Sequence, residues 1–404
     1  MQRPSRTRVP PFFHEDNCYE KCTSFGRFGF FLGSLAVAAY QAHTVSARPS
    51  QINGQPIVTL KRAASFKGAK PEFLSATILR GRGMNLLQIT ANLPGKGEIN
   101  ILATPSLDQV AEALTGDAFG NKSFSTLGGA FLAPYANRIR GKLSSDGQTV
   151  TTHWNGKQLT LPANWSGHEP DAERHAIHGL ILTRKADDFK ISNNGTTITA
   201  TIHGGNFDGH WLSSTDLTIR IDLRADTIDS TITVKNVGAE AEPMAIGWHP
   251  YFSIPSGQRP QVRLHIPAAG HVETNNLDDV FPTGVLTSVT GTPYDFTAPG
   301  GRAIGDTFYD DSFAGLTRTN GLVAVDLMDP AAHYGLHIQG LSPEIQTVQF
   351  YAPKDKPFVA LEEQYNFGDP FSSIWKGMDT GMVTLAPGQS TTWRVRLQLF
   401  VPGS

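Results

Sequence analysis

Cysteine is almost missing from this sequence. Among its 404 residues the only two cysteines are Cys18 and Cys22. A structural zinc site commonly uses two cysteine pairs, or cysteines together with histidines, so a single pair is a poor candidate for zinc. The remainder of the chain has no thiol from which a disulfide could form.

An excess of charge of either sign is lacking as well. Lys and Arg number 34 and Asp and Glu number 36, which leaves a formal net charge of -2. A nucleic-acid partner would call for a basic excess, so we expect none. Phosphate-binding loops, dinucleotide fingerprints and serine-nucleophile elbows are also absent. With 39% hydrophobic and 17% charged residues, the composition is that of a globular protein.

The first 47 residues differ from the rest of the chain. Five Lys and Arg residues lie between positions 3 and 27, residues 28–39 form an uncharged, mostly apolar run, and Val45, Ser46 and Ala47 follow. This order is typical of a secretory signal peptide. We expect residues 1–47 to be cleaved and the protein to be periplasmic or secreted; an uncleaved anchor and a mis-assigned start are the alternatives. Cleavage would remove both cysteines, which suits an oxidising compartment.

The clearest secondary-structure signal is an alternation of apolar and polar residues. Apolar residues occupy positions 217, 219, 221 and 223, and a second run from position 228 to 234 follows a short polar break. This pattern predicts an antiparallel hairpin with one buried face. Shorter strands are predicted at residues 57–60, 75–79 and 100–103, and a last one at residues 393–399.

One helix is predicted, beginning after Ser106. Gln109 stands at the capping-box position, apolar residues follow at helical spacing, and Gly116 ends the pattern. No repeat or low-complexity linker divides residues 50–404. We therefore predict a single all-β domain over residues 48–404, a large antiparallel sandwich with few short helices.

A candidate catalytic histidine lies in residues 247–253. His249 is followed by Pro250, Tyr251 and Phe252. Proline biases the preceding residue toward extended backbone, so the side chain of His249 should project from the end of a strand. By itself this pattern favours a core histidine packed by aromatic residues.

Other polar residues accompany this histidine. Asn137 and Arg138 lie between glycines and aromatic residues, which suits either a cleft loop or a basic surface turn. His175 and His178 are three residues apart, but the glycine after His178 favours a loop over a helical metal site.

Acidic and amide residues mark three later segments. Asp310 and Asp311 stand beside aromatic residues in what could be an ordinary turn, and Gln349 is the amide of an apolar strand. Glu362 and Glu363 end another apolar strand. A carboxylate there is costly to bury without a partner. The alternative is that the end of the strand is exposed to solvent.

Taken in order, these segments resemble the aldose 1-epimerase (galactose mutarotase) family. The resemblance runs from about residue 72 to the end of the sequence. It rests on five short motifs in the correct order, at residues 135–139, 249–252, 348–351, 361–364 and 387–388.

The resemblance implies a β-supersandwich with an open sugar cleft and no cofactor. It implies that Glu362 takes the proton from the anomeric hydroxyl and that His249 protonates the ring oxygen. The residues that it assigns to sugar binding are Asn137, Arg138, His178, Tyr251, Asp310 and Gln349. The expected reaction is the interconversion of the α and β anomers of a free aldohexose by general acid–base ring opening and reclosure.

The sequence also departs from the family pattern. Leu180 replaces a second glycine after His178, and Glu363 replaces a proline, which we expect to place a second carboxylate near the base. Because Asp310 and Asp311 are adjacent, a shift of one residue would exchange them. We also expect a carboxylate such as Asp310 to raise the pKa of His249.

Two other classes of function stay open at this point, a different enzyme on a related fold and a non-catalytic binding module. A phosphosugar epimerase would need extra cations near the cleft, for which Arg140, Lys142 and Arg184 are candidates. A polysaccharide lyase would need a Tyr, His and Arg set for uronic acids, and such sandwiches often carry a helical domain that this sequence lacks. A non-catalytic carbohydrate-binding sandwich would not need the Glu362 and His249 pair. For each of them the expected partner is a sugar, with no membrane association after cleavage, and the protein is expected to be a monomer or a homodimer.

Overall fold

The structure is a computed structural model that describes residues 51–403 apart from 67 and 69. The expected signal peptide lies outside the described residues. Within the described part, no helix is both long enough and apolar enough to cross a membrane. These residues belong to one compact unit, Pro49–Ser404.

Strands account for most of the regular structure. The first thirteen are β1 (Gln51–Ile52), β2 (Gln55–Lys61), β3 (Glu72–Leu79), β4 (Asn85–Leu93), β5 (Gly97–Asn100), β6 (Ala130–Leu132), β7 (Arg138–Ile139), β8 (Lys142–Leu143), β9 (Thr149–Trp154), β10 (Lys157–Pro162), β11 (Ala176–Ile177), β12 (Asp188–Ile191) and β13 (Thr197–Gly205). The next eight are β14 (Thr215–Leu223), β15 (Thr227–Asn236), β16 (Glu242–Met244), β17 (Gly247–His249), β18 (Tyr251–Ser253), β19 (Arg263–His265), β20 (Ala268–Thr274) and β21 (Pro282–Ser288).

The remaining elements complete the chain. The last strands are β22 (Arg302–Ala303), β23 (Tyr309–Leu316), β24 (Val323–Asp329), β25 (Tyr334–Gly340), β26 (Thr347–Ala352), β27 (Phe358–Gln364), β28 (Val383–Leu385) and β29 (Ser390–Phe400). The helices are α1 (Leu107–Ala113), α2 (Lys122–Ser125) and the single-turn 3₁₀ segments Arg259–Gln261, Pro330–Ala332 and Ser373–Trp375.

Three large antiparallel sheets make up the sandwich. Nine strands pair in the order β12-β13-β14-β15-β29-β25-β24-β19-β22, six in the order β18-β27-β26-β23-β20-β21, and five in the order β1-β2-β3-β4-β5. One hydrophobic cluster includes residues from all three, such as Phe73, Ile219 and Phe350, so the sheets share a core. This confirms the predicted all-β architecture.

The predicted hairpin and helix are both present. Strands β14 and β15 pair from Thr215 with Asn236 to Leu223 with Ile228, and residues at alternate positions of β14 are buried. Helix α1 has the capping box, because the Ser106 hydroxyl accepts from the Gln109 backbone and the Gln109 side chain accepts from the Ser106 backbone.

The strand predicted at residues 100–103 is wrong. Strand β5 ends at Asn100, whose side-chain oxygen accepts hydrogen bonds from the backbone of Ile89 and Leu102. These local bonds end the ladder, and Leu102 then makes only an isolated bridge to Phe252.

Candidate active site

The six-stranded sheet provides the floor of a cleft. Its register puts Ser312 opposite Gln349, and Gln349 opposite Glu362. Two residues away, a second row runs from Asp310 through Tyr351 and Ala360 to Tyr251 on β18. Since side chains of a strand alternate between faces, both rows point to the same side of the sheet. The floor is therefore built from four adjacent strands.

Four of the expected binding residues form a closed ring of hydrogen bonds. Arg138 donates to Asp310 at 3.2 Å and to Asn137 at 3.3 Å. The Gln349 amide donates to Asp310 at 2.6 Å and accepts from Asn137 at 3.2 Å. Each side chain is held by two of the others, so the ring is pre-organised before any sugar binds.

The backbone around Asn137 supports this ring. Asn137 is in the left-handed region with φ 58°, which Asn tolerates better than most residues. Its carbonyl accepts from the backbone of His178 at 3.0 Å, and Arg138 pairs with Ile177 across β7 and β11. Arg138 is 8% exposed, so the interpretation as a basic surface turn is wrong.

The two adjacent aspartates point to opposite faces of β23. Asp310 contacts Arg138 and Gln349 in the cleft, whereas Asp311 contacts the ring of His271 at 2.7 Å on the other side. Burial raises the pKa of Asp310, and the positive charge of Arg138 opposes the rise. The cleft acid is therefore Asp310.

His249 and Glu362 meet at the floor. Nε2 of His249 lies 3.3 Å from Oε1 of Glu362, and the second oxygen of Glu362 accepts from the Gln364 amide at 2.7 Å. His249 ends β17, which pairs with β6, and Pro250 separates it from β18. The histidine is buried, as the packing interpretation expected, yet it also lines the cavity.

Burial dominates the protonation of this pair. It lowers the pKa of His249 to about 3, and the positive charge of Arg138 acts in the same direction. It raises the pKa of Glu362 well above the usual range, and the charge of Asp310 adds to that rise. The expectation that a nearby carboxylate raises the pKa of His249 is therefore wrong, because desolvation dominates and the neighbouring charge that acts on the ring is that of Arg138. Both shifts favour a neutral pair, an uncharged carboxyl beside a neutral imidazole, over an ion pair.

The second carboxylate of the motif does not enter the cleft. Glu363 pairs with Val348 across β26 and β27, so its side chain points to the face opposite that of Glu362. It is buried beside Gly340, and that burial raises its pKa well above the usual range. The expectation that Glu363 places a second carboxylate near the base is therefore wrong.

His178 forms one wall of the site. Its ring lies edge-on to His249, with ring centres 4.9 Å apart, and burial lowers its pKa well below the usual value. Gly179 follows with φ 82°, and a side chain there would collide with the carbonyl of Ala133. A single glycine thus fixes this loop. His175 instead bonds the Glu173 carbonyl, and the described residues contain no group of three or more potential metal ligands.

Ser312 and four aromatic residues are among the cleft residues that escaped prediction as site residues. Ser312 donates to Gln349 from the floor. Its position two residues after Asp310 on a strand could have predicted that it lies on the same face as Asp310. The other four are aromatic residues that line the cavity. Tyr351 lies in the floor and within one of the five motifs, whereas the remaining three gave no local signal: Phe124, Trp165 and Phe308. Together with the polar residues they enclose a cavity of about 430 Å³.

Comparison with known proteins supports the assignment of the fold. Three solved structures resemble this chain: an aldose epimerase homologue from C. elegans (16% identity, TM-score 0.63, covering 86% of this chain and 99% of that one), a galactose mutarotase-like protein from Clostridium acetobutylicum (18%, 0.63, 85% and 99%) and a galactose 1-epimerase from Lactobacillus acidophilus (15%, 0.58, 86% and 99%). At these identities the likeness shows the fold.

Sequence comparison identifies the family. YphB, an uncharacterised protein of Escherichia coli (strain K12), is 28% identical over 140 residues, which are 35% of this chain and 40% of that protein. The model of the aldose 1-epimerase family matches residues 106–398, well over half of the sequence and all of the segments that form the cleft. The chain belongs to the aldose 1-epimerase family.

Proposed function

We propose that this protein is an aldose 1-epimerase that interconverts the α and β anomers of a free aldohexose of the glucose or galactose type. The observation that carries the proposal is the contact of His249 and Glu362 at the floor of the cavity, beside the hydrogen-bond ring. Both groups can exchange protons, and both are held by neighbours.

Mutarotation requires two proton transfers at one carbon. The hydroxyl oxygen O1 and the ring oxygen O5 are both bonded to C1. The distance between them is therefore shorter than the contact distance between oxygens of separate molecules. A pair of groups 3.3 Å apart can therefore face both oxygens at once. Removal of the O1 proton and delivery of a proton to O5 break the C1–O5 bond, the carbonyl end rotates, and reclosure reverses both transfers. Each group of this kind typically contributes about 10²–10⁴-fold.

The family resemblance assigns the base to Glu362 and the acid to His249. That arrangement has the shared proton on His249, whereas burial favours Glu362 in the empty site. The two tautomers differ by the movement of one proton across 3.3 Å, with no change of side-chain position. Sugar hydroxyls that bond the Glu362 carboxylate would favour its ionised form and so transfer the proton to His249.

The remaining polar residues suit the sugar's other hydroxyls. Arg138 and Asn137 present donors, Asp310 accepts, and Gln349 can do both. His178 and Tyr251 close the cavity on the side of His249. Because Arg138 stays charged at all working pH values, its role is binding rather than proton exchange.

A phosphosugar substrate is less consistent with the charges around the cleft. Of the described residues that line the cavity, Arg138 is the one Lys or Arg, and Asp310 already pairs with it. Arg140 pairs with Glu173 and Arg184 with Asp208, and neither lines the cavity; Lys142 is exposed outside it. A phosphate would thus find no unpaired cation. The observation favours a free sugar.

A non-catalytic carbohydrate-binding sandwich is the second candidate. It would not need two buried proton-exchanging groups in contact, since their desolvation is costly without a task. Polarimetry on freshly dissolved glucose, galactose and glucose 6-phosphate separates the three functions. Accelerated mutarotation of the free hexoses supports the proposal, a preference for the phosphate supports a phosphosugar epimerase, and no acceleration supports a binding module.

We also propose that residues 1–47 are a cleaved signal peptide, that residues 48–404 are the catalytic domain, and that the protein works in the periplasm or outside the cell as a monomer or homodimer. The support is the order of charged, apolar and small residues in the leader. Mass spectrometry of the protein from its native host should find a mature start near Arg48. Recovery of a full-length cytoplasmic product with Met1 intact would contradict export.

A further inference from the structure

We infer that Gln364 is a positioning residue for the reaction: it holds one oxygen of Glu362, leaves the other oxygen to face His249, and favours the ionised form of the carboxyl. This inference rests on the proposed epimerase activity and assigns a further residue to it. It is carried by a buried hydrogen bond beside the proton-exchanging pair.

The two oxygens of the Glu362 carboxyl have different partners. Gln364 lies two residues after Glu362 on β27, so both side chains are on the same face of the sheet. Nε2 of Gln364 donates to Oε2 of Glu362 at 2.7 Å, while Oε1 lies 3.3 Å from Nε2 of His249. Because Gln364 occupies Oε2, the oxygen that is left to exchange a proton with His249 is Oε1.

The side chain of Gln364 is itself fixed by packing. It is fully buried, and a Cβ built on Gly247 would lie only 3.0 Å from its Cγ. Gly247 is the first residue of β17, the strand that ends at His249. The close approach of Gln364 to this glycine therefore joins the strand of the base to the strand of the acid.

The amide of Gln364 has no second task in the core. Its oxygen is buried and has no hydrogen-bond partner among the described residues. An unpaired buried polar atom costs free energy, and an apolar side chain of similar length would avoid that cost. Since the hydrogen bond that the amide does make goes to Glu362, the amide serves the base rather than the packing of the sheets.

The charges around Glu362 make such a donor necessary. The titratable and charged groups that face it come from four other strands: His249 of β17, Tyr251 of β18, Asp310 of β23 and Arg138 of β7. Burial and the charge of Asp310 raise the pKa of Glu362, whereas the hydrogen bond from Gln364 and the charge of Arg138 lower it. Arg138 spends its own hydrogen bond on Asp310, so the direct donor to the carboxyl is Gln364.

This donor acts on the step that the proposed reaction requires. The shared proton must move from Glu362 to His249, and the carboxylate that results then takes the proton from O1 while His249 gives one to O5. A hydrogen bond to an ionised carboxylate is stronger than one to a neutral carboxyl. Gln364 therefore stabilises the pair after the transfer more than before it. Without the amide, the productive form would be rarer, and the pair would keep its proton to a higher pH.

The test compares the full-length wild type with Gln364→Met, whose side chain has a similar length and no donor. Initial rates of glucose mutarotation, measured by polarimetry over a series of pH values and corrected for the spontaneous reaction, give kcat and KM. We expect kcat to fall about 10–100-fold, the usual effect of losing a hydrogen bond to a charged group. KM should stay within about twofold, because Gln364 does not line the cavity.

The pH profile separates this role from a purely structural one. The alkaline limb of kcat/KM, where the pair loses its proton, should move upward by about one to two pH units in Gln364→Met. A packing defect would lower the rate and leave the limb in place. Circular dichroism shows whether the variant is folded, and Gln364→Leu, which also lacks the donor, serves if the methionine variant is not.

A matched control is Gln346→Met. Gln346 also donates from its amide to a carboxylate, that of Asp379 at 3.0 Å, but this pair is exposed to solvent and lies outside the cavity. The control should change neither kcat nor the alkaline limb. If the wild type is active and a folded Gln364 variant keeps either its alkaline limb or its kcat, the inference alone is overturned. Absence of activity in the wild type would instead overturn the proposed epimerase function.

Discussion

Replacement of Glu362 by glutamine removes the proposed base with little change of shape. In the variant, the amide oxygen can still accept from Gln364, and the amide nitrogen can donate to the neutral ring of His249. These are the two contacts that the carboxyl group of Glu362 makes, a hydrogen bond from Gln364 at 2.7 Å and the approach of His249 Nε2 at 3.3 Å. We therefore expect the unfolding free energy to change by less than about 1 kcal/mol, since no buried group loses its partner.

The catalytic loss should be much larger than the change in stability. Loss of one general acid or base typically costs about 10²–10⁴-fold, or roughly 3–5 kcal/mol in the activation free energy. His249→Asn should lose a similar factor, because an amide cannot deliver a proton. The double variant should lose far less than the product of the two factors, since the proton exchange already fails when either group is missing.

Polarimetry on glucose measures this loss, and circular dichroism with urea denaturation shows that the variants are folded. Leu277→Ala provides a matched control, because Leu277 lines the same cavity at its rim and cannot exchange protons. Its kcat should stay within a few-fold of the wild type. Near-wild-type mutarotation by a folded Glu362→Gln variant would refute the assignment and favour a binding module.

Three further predictions follow from other parts of the structure. Because burial lowers the pKa of His249 to about 3, kcat/KM should stay level from neutral pH down to about pH 5; an acid limb near the reference value of about 6.5 would contradict it. Arg138→Ala should raise KM for the hexose about 10–100-fold through loss of two ring hydrogen bonds, and an unchanged KM in steady-state assays would show that Arg138 does not hold the sugar. The buried carboxyl of Glu242 accepts from the Thr215 hydroxyl and has its pKa raised from 4.5 to about 7, so the folded state binds this proton more tightly and the associated stability is lost as pH rises from 4.5 to 7. Glu242→Gln should then gain up to about 3 kcal/mol in urea denaturation at pH 8 relative to pH 4; an equal effect at both would refute the argument.

Periodic patterns and local caps were sufficient to predict much of the fold. The β14–β15 hairpin follows from strict alternation, because one face of the large sheet is buried. Helix α1 follows from its Ser106 cap. The strand predicted at residues 100–103 failed because the side chain of Asn100 accepts from the backbone of Ile89 and Leu102 where the β4–β5 ladder ends, and no propensity rule registers that competition.

The site was predictable as a set of residues and not as a geometry. Strand alternation alone could have assigned Asp310 and Glu362 to one face and Asp311 and Glu363 to the other, once a single register was known. The pKa directions could not be predicted, because they depend on how deeply His249 is buried rather than on its neighbours in sequence. The wall residue Trp165 approaches Phe124 only through tertiary packing.

The closed hydrogen-bond ring has a consequence for refolding. It joins positions very far apart in the chain: Arg138 and Asp310 are separated by 172 residues, and Asn137 and Gln349 by 212. Contacts of such high sequence separation form late, because a large loop must close before they contribute. Catalytic competence should therefore return after local hairpins such as β14–β15, and recovery of mutarotation after dilution from urea would report the completion of long-range strand pairing.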